Sequence, residues 1–161
     1  MLDLFFKVNM KNLFIVFLSA ILFFVFISKF NSPKNVKEEK VIKEISFSFV
    51  GDLMCHSPIY ESSRIQNDSF DFNPIFNEIK NDLSKADFTI GNLETVIAGD
   101  KFIYSGYPNF NSPIEFLDAI KNAGFDILIT CNNHSLDKGT RGLINTINNI
   151  NKLRLKNIGT N

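Results

Sequence analysis

Apolar residues form one long run near the N-terminus and several short runs beyond it. The long run extends from Leu13 to Phe30 and is interrupted only by Ser19, Ser28 and Lys29. As a helix with a rise of ~1.5 Å per residue it would be roughly 27 Å long, close to the thickness of a membrane's hydrocarbon core. The pattern predicts a transmembrane signal-anchor at residues 13–30, after a short N-terminal segment of residues 1–12.

A cleaved signal peptide is the alternative, because Lys7 and Lys11 supply positive charge before the apolar run. No small-x-small cleavage site follows the run, which favours a retained anchor. The lysines after the run outnumber those before it, and this distribution alone predicts that the C-terminal side stays in the cytoplasm. Residues 31–44 are charged, contain a proline and lack apolar periodicity, so they predict a solvated linker.

The short apolar runs after the linker alternate between strand and helix periodicity. In the first run apolar residues occupy every second position, at Ile45, Phe47 and Phe49. In the second run they follow helical spacing, at Ile75, Ile79 and Leu83. Strands are predicted at 45–50, 87–91, 125–130 and 157–159, and helices at 73–86, 113–123 and 140–153. This alternation predicts an α/β fold with a largely parallel sheet covered by helices.

The helix after Asn111 has the most complete end signals in the chain. Ser112 is the predicted N-cap, Pro113 is the first helical residue, and Glu115 completes a capping box. Gly124 is the predicted stop.

Composition restricts the classes of partner. The chain has 161 residues, 45% of them hydrophobic, and no net formal charge. This is enough material for one modest domain, and it gives no electrostatic bias toward a polyanion. We therefore expect no nucleic-acid partner.

Polar side chains lie where the predicted strands end, and in a parallel sheet this edge carries the ligand crevice. They comprise two carboxylates, an imidazole and several carboxamides: Asp52, Glu94, His134, Asn92, Asn132 and Asn133. Such a mixed oxygen and nitrogen set suits divalent Mn, Mg, Fe or Zn, and two metals could clamp a phosphoryl or acyl oxygen. Taken singly, Asp52, Asn132 and Asp137 are also typical turn formers or helix caps, and His134 could be a structural histidine.

Three stretches resemble one known family: "FSFVGDLMCHSPIY", "ADFTIGNLETVIAG" and "YPNFNSPIEFLDAIKNAGFDILITCNNHSLDKGTRGLINTINNI". They look like the CapA family of capsule and poly-γ-glutamate synthesis proteins, whose domain is similar to calcineurin-like metallophosphoesterases. The resemblance covers residues 45–161. It implies an α/β fold of the calcineurin-like metallophosphoesterase type, a layered β-sheet core with flanking helices, incomplete here and preceded by one N-terminal transmembrane helix.

The resemblance also implies roles for individual residues. Metal ligands would be Asp52, Asn92, Glu94 and Asn133, and His134 would be the catalytic residue that stabilises charge or protonates a leaving group. Asn132 and Asp137 are weaker candidates of the same site.

This sequence departs from the family pattern in two ways. Met54 stands where the superfamily often has a metal-binding histidine; His56 could compensate, or it could serve in loop packing. The later histidine motifs of the family would lie beyond Asn161, so the resemblance implies that the chain is an N-terminal portion of a longer protein.

The function implied by the resemblance is that of a membrane-anchored protein of capsule or poly-γ-glutamate synthesis or export. In its full-length form it would be a metal-dependent hydrolase of the metallophosphoesterase type. A non-catalytic scaffold of a polymer synthesis or export complex, or an inactive truncated fragment, is the alternative. The expected partners are the membrane and other capsule or polyglutamate synthase components. The domain would lie outside the cell membrane, against the lysine distribution, because long domains can translocate despite flanking lysines.

The two cysteines, Cys55 and Cys131, fit no zinc-binding spacing. We expect Cys131 to be a buried thiol. A disulfide is the alternative, since both cysteines follow predicted strands and could meet at the sheet edge.

Overall fold

The structure is a computed structural model and describes residues 10–30, 42–66 and 69–160. These residues belong to two units, one that ends at Ile42 and one that begins at Lys43. The predicted N-terminal segment lies outside the described residues except for 10–12. Linker residues 31–41 also lie outside the described residues.

The first unit contains the helix α1, Met10–Phe30. Its segment Lys11–Lys29 has a mean hydropathy of 2.2 and is long and apolar enough to cross a membrane. Length and composition fit a membrane anchor or a signal sequence equally. The helix begins three residues before the predicted start at Leu13.

The second unit is a mixed α/β structure around one parallel sheet. The strands are β1 (Phe47–Leu53), β2 (Phe88–Leu93), β3 (Ile127–Ile129) and β4 (Lys156–Ile158), and they lie in the order β1-β2-β3-β4. The helices are α2 (Ser57–Ser62), α3 (Asn73–Phe76), α4 (Lys80–Leu83), α5 (Ile114–Asn122) and α6 (Gly139–Lys152). The predicted parallel sheet with flanking helices is confirmed, whereas the metallophosphoesterase type of fold stays a prediction.

The core is built mainly from aromatic and branched apolar side chains around α5 and the central strands. The ring centroids of Phe72 and Phe116 are 5.2 Å apart with edge-to-face geometry, and those of Phe76 and Phe125 are 6.3 Å apart. Such pairs add to the burial of apolar area. This packing fixes α3 and α5 against the sheet.

The first strand differs from its prediction in position and in burial. It begins at Phe47 rather than Ile45 and continues through Asp52 to Leu53. Phe47 and Phe49, expected as one face of a strand, are exposed, and Phe49 retains 74% of its accessible surface. The alternation in the sequence placed Phe47 and Phe49 on one face of the strand. It did not show that this face is exposed within the described part of the chain.

The predicted helix over 73–86 is wrong as a single element. It is divided into α3 and α4, with a turn at residues 77–79. Phe76 and Leu83 are buried, whereas Ile75 and Ile79 are 48% and 44% exposed. The break changes which residues face the core. Phe76 packs against Phe116 and Phe125, whereas Ile75 and Ile79 point away from the core.

The predicted capping box of α5 is also wrong. The N-cap is Pro113, and no side chain caps the helix. Ser112 is fully buried, and its hydroxyl pairs with that of Thr95 at 2.7 Å. A buried hydroxyl needs a hydrogen-bond partner, and Thr95 satisfies this need from another segment. The predicted stop is confirmed, because Gly124 follows α5 with a φ of 105°.

Candidate functional site

Two carboxylates meet at the carboxyl end of the sheet through one carboxamide. Asp52 in β1 and Asn92 in β2 are paired in the parallel register. Nδ2 of Asn92 donates to Oδ1 of Asp52 at 2.8 Å and to Oε2 of Glu94 at 2.9 Å. Asn92 therefore holds both acidic side chains at the same edge.

The surroundings of Glu94 disfavour its ionised form. Burial is the largest cause that raises the pKa of Glu94, and the nearby Asp52 carboxylate adds to it. The charge of His134 and the hydrogen bond from Asn92 act in the opposite direction. A cation beside Asp52 and Glu94 would relieve the repulsion between the two carboxylates.

Asn132 joins this acidic pair to the loop after β3. Its Nδ2 donates to Oδ1 of Asn92 and to the carbonyl oxygen of Leu93, both at 3.0 Å. Its Oδ1 accepts the backbone N–H of His134 at 3.0 Å. Asn132 thus acts as a turn former and also as a connection between the predicted site residues of two strands.

His134 is held in place by a carboxylate and an aromatic ring. Its Nδ1 lies 2.8 Å from Oδ2 of Asp137, and its ring meets Phe110 edge-on with centroids 4.7 Å apart. Only 8% of the residue is exposed. Nε2 has no hydrogen-bond partner among the described residues. Because every fully buried side-chain nitrogen and oxygen there has a partner, Nε2 is not fully buried. A histidine fixed through Nδ1 presents Nε2 for proton transfer.

The side chains of two further candidates make no hydrogen bond to this network within the described residues. The side chain of Asn133 is exposed and makes no hydrogen bond within the described residues. The ring of His56 meets that of Phe110 edge-on, with the two centroids 5.0 Å apart. This position corresponds to the loop-packing alternative for His56.

The sequence interpretation missed Phe110 and Asn109. The backbone N–H of Phe110 donates to Oδ2 of Asp137 at 2.6 Å, and Nδ2 of Asn109 donates to the carbonyl oxygen of Asp137 at 2.5 Å. Phe110 is fully buried between His56 and His134. No local signal marks these contacts, because they join residues more than twenty positions apart in sequence.

The two cysteines are free thiols, so the disulfide alternative is wrong. Cys55 is buried, and burial raises its pKa from 9.0 to about 11, with a smaller opposing effect from a hydrogen bond to Ser112. The expectation of a buried Cys131 is also wrong, because Cys131 is exposed. The strand before it ends at Ile129, which places Cys131 in the loop rather than in the sheet.

Among the described residues, this edge offers few ionisable ligands to a cation. Within the residues that the structure describes, no group of three histidine, cysteine or acidic side chains converges as a metal site. Asp52 and Glu94 supply converging carboxylates, which Mg and Mn accept together with neutral amide oxygens. Asn92 directs its nitrogen at these carboxylates, so it organises the ligands in this arrangement.

Comparison with known proteins gives one family. A family model described as bacterial capsule synthesis protein PGA_cap matches residues 46–161, which is most of the chain. A search of the curated proteins finds no match.

Proposed function

Because the chain belongs to the PGA_cap family of bacterial capsule synthesis proteins, we propose that the edge formed by Asp52, Glu94 and His134 is a metal-dependent hydrolase or transferase site. The reaction would be cleavage or transfer at a phosphoester in capsule or poly-γ-glutamate synthesis or export. The observation that carries this proposal is the double hydrogen bond from Asn92, which brings two carboxylates together beside a positioned histidine.

Asp52 and Glu94 would hold the cation, and amide oxygens such as that of Asn133 would complete its ligands. When bound, a divalent metal would polarise a phosphoryl oxygen and neutralise charge that develops on it. Proton transfer and its geometry would depend on side chains of the chain itself. His134 would protonate the leaving oxygen from Nε2, while Asp137 fixes the orientation of the ring through Nδ1.

The proposed location is the outer side of the cell membrane, with α1 as a single-pass anchor. The apolar length of α1 supports an anchor. Protease treatment of intact cells would test this arrangement, because an external domain would be digested and a cytoplasmic one protected.

A non-catalytic scaffold in a polymer synthesis complex is the second candidate. It is favoured by the small number of ionisable ligands at the edge, since no group of three converges among the described residues. In that case the hydrogen bonds among Asp52, Asn92 and Asn132 would serve only to fix the loops after the strands.

The decisive experiment measures metal binding and turnover with the full chain in detergent. We expect Mn²⁺ to bind in a titration, and a model phosphodiester to be hydrolysed in its presence. Glu94→Gln should lose both, while His134→Ala should lose turnover and retain binding. Glu78→Gln, an exposed residue that the proposal does not use, is the matched control. Absence of Mn²⁺ binding to the intact chain, or turnover unchanged in both variants, would overturn the enzyme proposal.

A further inference from the structure

A groove lies along α6, and none of the residues that line it belongs to the carboxylate edge. It has a volume of about 900 Å³ and is bounded by the loop of residues 98–104, the first turn of α5 and one face of α6. A smaller pocket of about 400 Å³ shares Lys101 and Asn145 with it and extends to Arg141. We call the two together the α6 groove.

The helix contributes a polar stripe to this groove. Arg141, Asn145, Asn148 and Lys152 follow one another at intervals of three or four residues, which places them on one face of α6. At ~1.5 Å per residue this stripe is roughly 16 Å long, so an extended ligand could lie along it. The shape suits a segment of a chain rather than a compact metabolite.

The loop of residues 98–104, which forms the wall opposite α6, is held by hydrogen bonds within the protein. Asn111 is fully buried; its Oδ1 accepts the N–H of Ala98 at 2.8 Å, and its Nδ2 donates to the carbonyl oxygen of Phe102 at 3.0 Å. From α6, Asn145 donates to the carbonyl oxygen of Ala98 at 2.8 Å. A wall held in this way loses little conformational freedom on binding, which favours affinity.

The asparagines of α6 differ in whether their side chains bond to the rest of the fold. Asn145 and Asn149 donate to the carbonyl oxygens of Ala98 and Ile97, which explains their presence in the helix. Asn148 and Asn151 line the groove, are exposed, and make no side-chain hydrogen bond within the described part of the chain. Asparagine is a poor helix former, so these two residues weaken α6 without a compensating internal contact.

The other side of the groove adds an aromatic ring and hydrogen-bond acceptors. Tyr104, Glu115 and Asp100 all line the groove. Burial, followed by the carboxylates of Glu115 and Asp100, raises the pKa of Tyr104. The groove has three cations, Lys101, Arg141 and Lys152, beside these two carboxylates. Its charge is therefore nearly balanced.

These groups match a hydroxyl-rich chain of low net charge. Carboxamides both donate to and accept from hydroxyls, carboxylates accept from them, and the Tyr104 ring offers an apolar face. A dense polyanion would find little net attraction in this nearly balanced set of charges, and it would have to pass Asp100 and Glu115. We propose that the α6 groove binds a segment of a neutral carbohydrate polymer, through Asn148 and Asn151 on one side and Tyr104 and Glu115 on the other.

The test uses the full chain in a zwitterionic detergent that has no sugar headgroup, with EDTA present so that metal at the carboxylate edge has no influence. The probes are the neutral tetrasaccharides of glucose and of N-acetylglucosamine, and an oligomer of glutamate serves as the polyanion. Calorimetric titration measures binding. We expect at least one tetrasaccharide to bind, and to bind at least tenfold more weakly to the double variant Asn148→Ala, Asn151→Ala.

Two controls separate this groove from other surfaces. Asn77→Ala removes an exposed carboxamide outside the groove and should leave binding unchanged. Asp52→Asn changes the carboxylate edge and should also leave it unchanged, so that failure of the proposed enzyme function would not affect the result. The alanine substitutions remove poor helix formers, and a thermal melt will show whether the double variant is folded.

Three results would overturn the inference: no binding of either tetrasaccharide, equal binding to the double variant, or loss of binding in Asp52→Asn. Preferential binding of the glutamate oligomer would overturn it as well. The last result would leave the proposed function of the strand edge intact.

Discussion

Oδ2 of Asp137 lies 2.8 Å from Nδ1 of His134, and the same oxygen accepts the backbone N–H of Phe110 at 2.6 Å. One carboxylate oxygen therefore joins the candidate catalytic histidine to a separate loop. The arrangement makes Asp137 a positioning residue, because it acts through His134.

Asp137→Ala should destabilise the fold by about 1 to 3 kcal/mol, because it leaves the N–H of Phe110 and Nδ1 of His134 without their partner. Denaturant unfolding of the full chain in detergent measures this change. Asp118→Ala, on the half-exposed side of α5, is the control and should change stability by less than about 0.5 kcal/mol. Equal effects of the two substitutions would contradict the role assigned to Asp137.

The position of Asp137 also predicts a spectroscopic change. The chain has two histidines, so the imidazole nitrogens of His134 can be assigned by NMR from a His56→Gln variant. We expect Asp137→Ala to change the tautomer populations of His134, since the hydrogen bond at Nδ1 selects the tautomer. Unchanged nitrogen shifts would show that Asp137 does not set the state of the ring.

Asn92 bridges Asp52 and Glu94 with one donated amide group, and its replacement by a carboxylate should turn this attraction into repulsion. Asn92→Asp removes both hydrogen bonds and adds a like charge, so we expect a loss of about 1 to 3 kcal/mol in EDTA at neutral pH. Mn²⁺ should restore part of this loss if the edge binds a cation. Asn77→Asp is the matched control, because Asn77 is exposed. A variant as stable as the parent in EDTA would show that the carboxylates do not repel one another.

The sequence predicted the order of strands and helices along the chain, and a parallel sheet, because strand and helix periodicities are local properties. The placement of polar residues at strand ends followed from that order, and Asp52, Asn92, Glu94 and Asn132 do share one hydrogen-bonded network. The predicted roles of these residues as metal ligands stay a prediction.

The wrong or missed predictions concern residues whose partners lie far away in the sequence. Ser112 reads locally as a helix cap, yet its hydroxyl bonds to Thr95, which lies seventeen positions earlier. Phe110 has no polar side chain, so nothing in its neighbourhood marks it as the residue between His56 and His134. Contacts of this kind depend on how separate loops fold together, and residue spacing does not encode them.

The cysteines should differ strongly in reactivity. Iodoacetamide reacts with the thiolate, and burial of Cys55 raises its pKa to about 11, whereas Cys131 is exposed. At pH 8 in the folded chain we expect Cys131 to be alkylated at least about tenfold faster than Cys55. Mass spectrometry of peptides measures both rates, and the denatured chain is the control in which the difference should disappear. Equal rates in the folded chain would show that Cys55 is accessible.

The raised pKa of Cys55 also determines a dependence of stability on pH. Between pH 9 and about pH 11 the thiol is ionised in the unfolded chain and protonated in the folded one. The contribution of this thiol to stability is therefore complete below pH 9 and is lost as the pH rises through this interval. Cys55→Ser should show a shallower loss over the same interval in denaturant unfolding. Parallel curves for the two proteins would exclude Cys55 as the cause.

Gly91 lies in β2 directly before Asn92, where the sheet leaves no room for a side chain. A Cβ at this position would lie 2.7 Å from Cδ1 of Leu53 and 2.8 Å from Cε1 of Phe125. Both neighbours are buried, so relief of the clash requires the core to shift. Gly91→Ala should therefore destabilise the chain by about 1 to 3 kcal/mol, the usual cost of overpacking a core.

Gly51 in β1 provides the matched control, since a Cβ there would meet no atom within 4 Å. Gly51→Ala should be neutral or slightly stabilising, because alanine loses less backbone freedom on folding. The comparison also bears on the site, because relief of the clash would shift β2 or the Leu53 end of β1 and so disturb the contact between Asn92 and Asp52. If the proposed metal site depends on that contact, Gly91→Ala should weaken Mn²⁺ binding at temperatures where the variant remains folded, and Gly51→Ala should not. Equal stability of the two alanine variants would mean that the core around Leu53 and Phe125 accommodates a methyl group without moving.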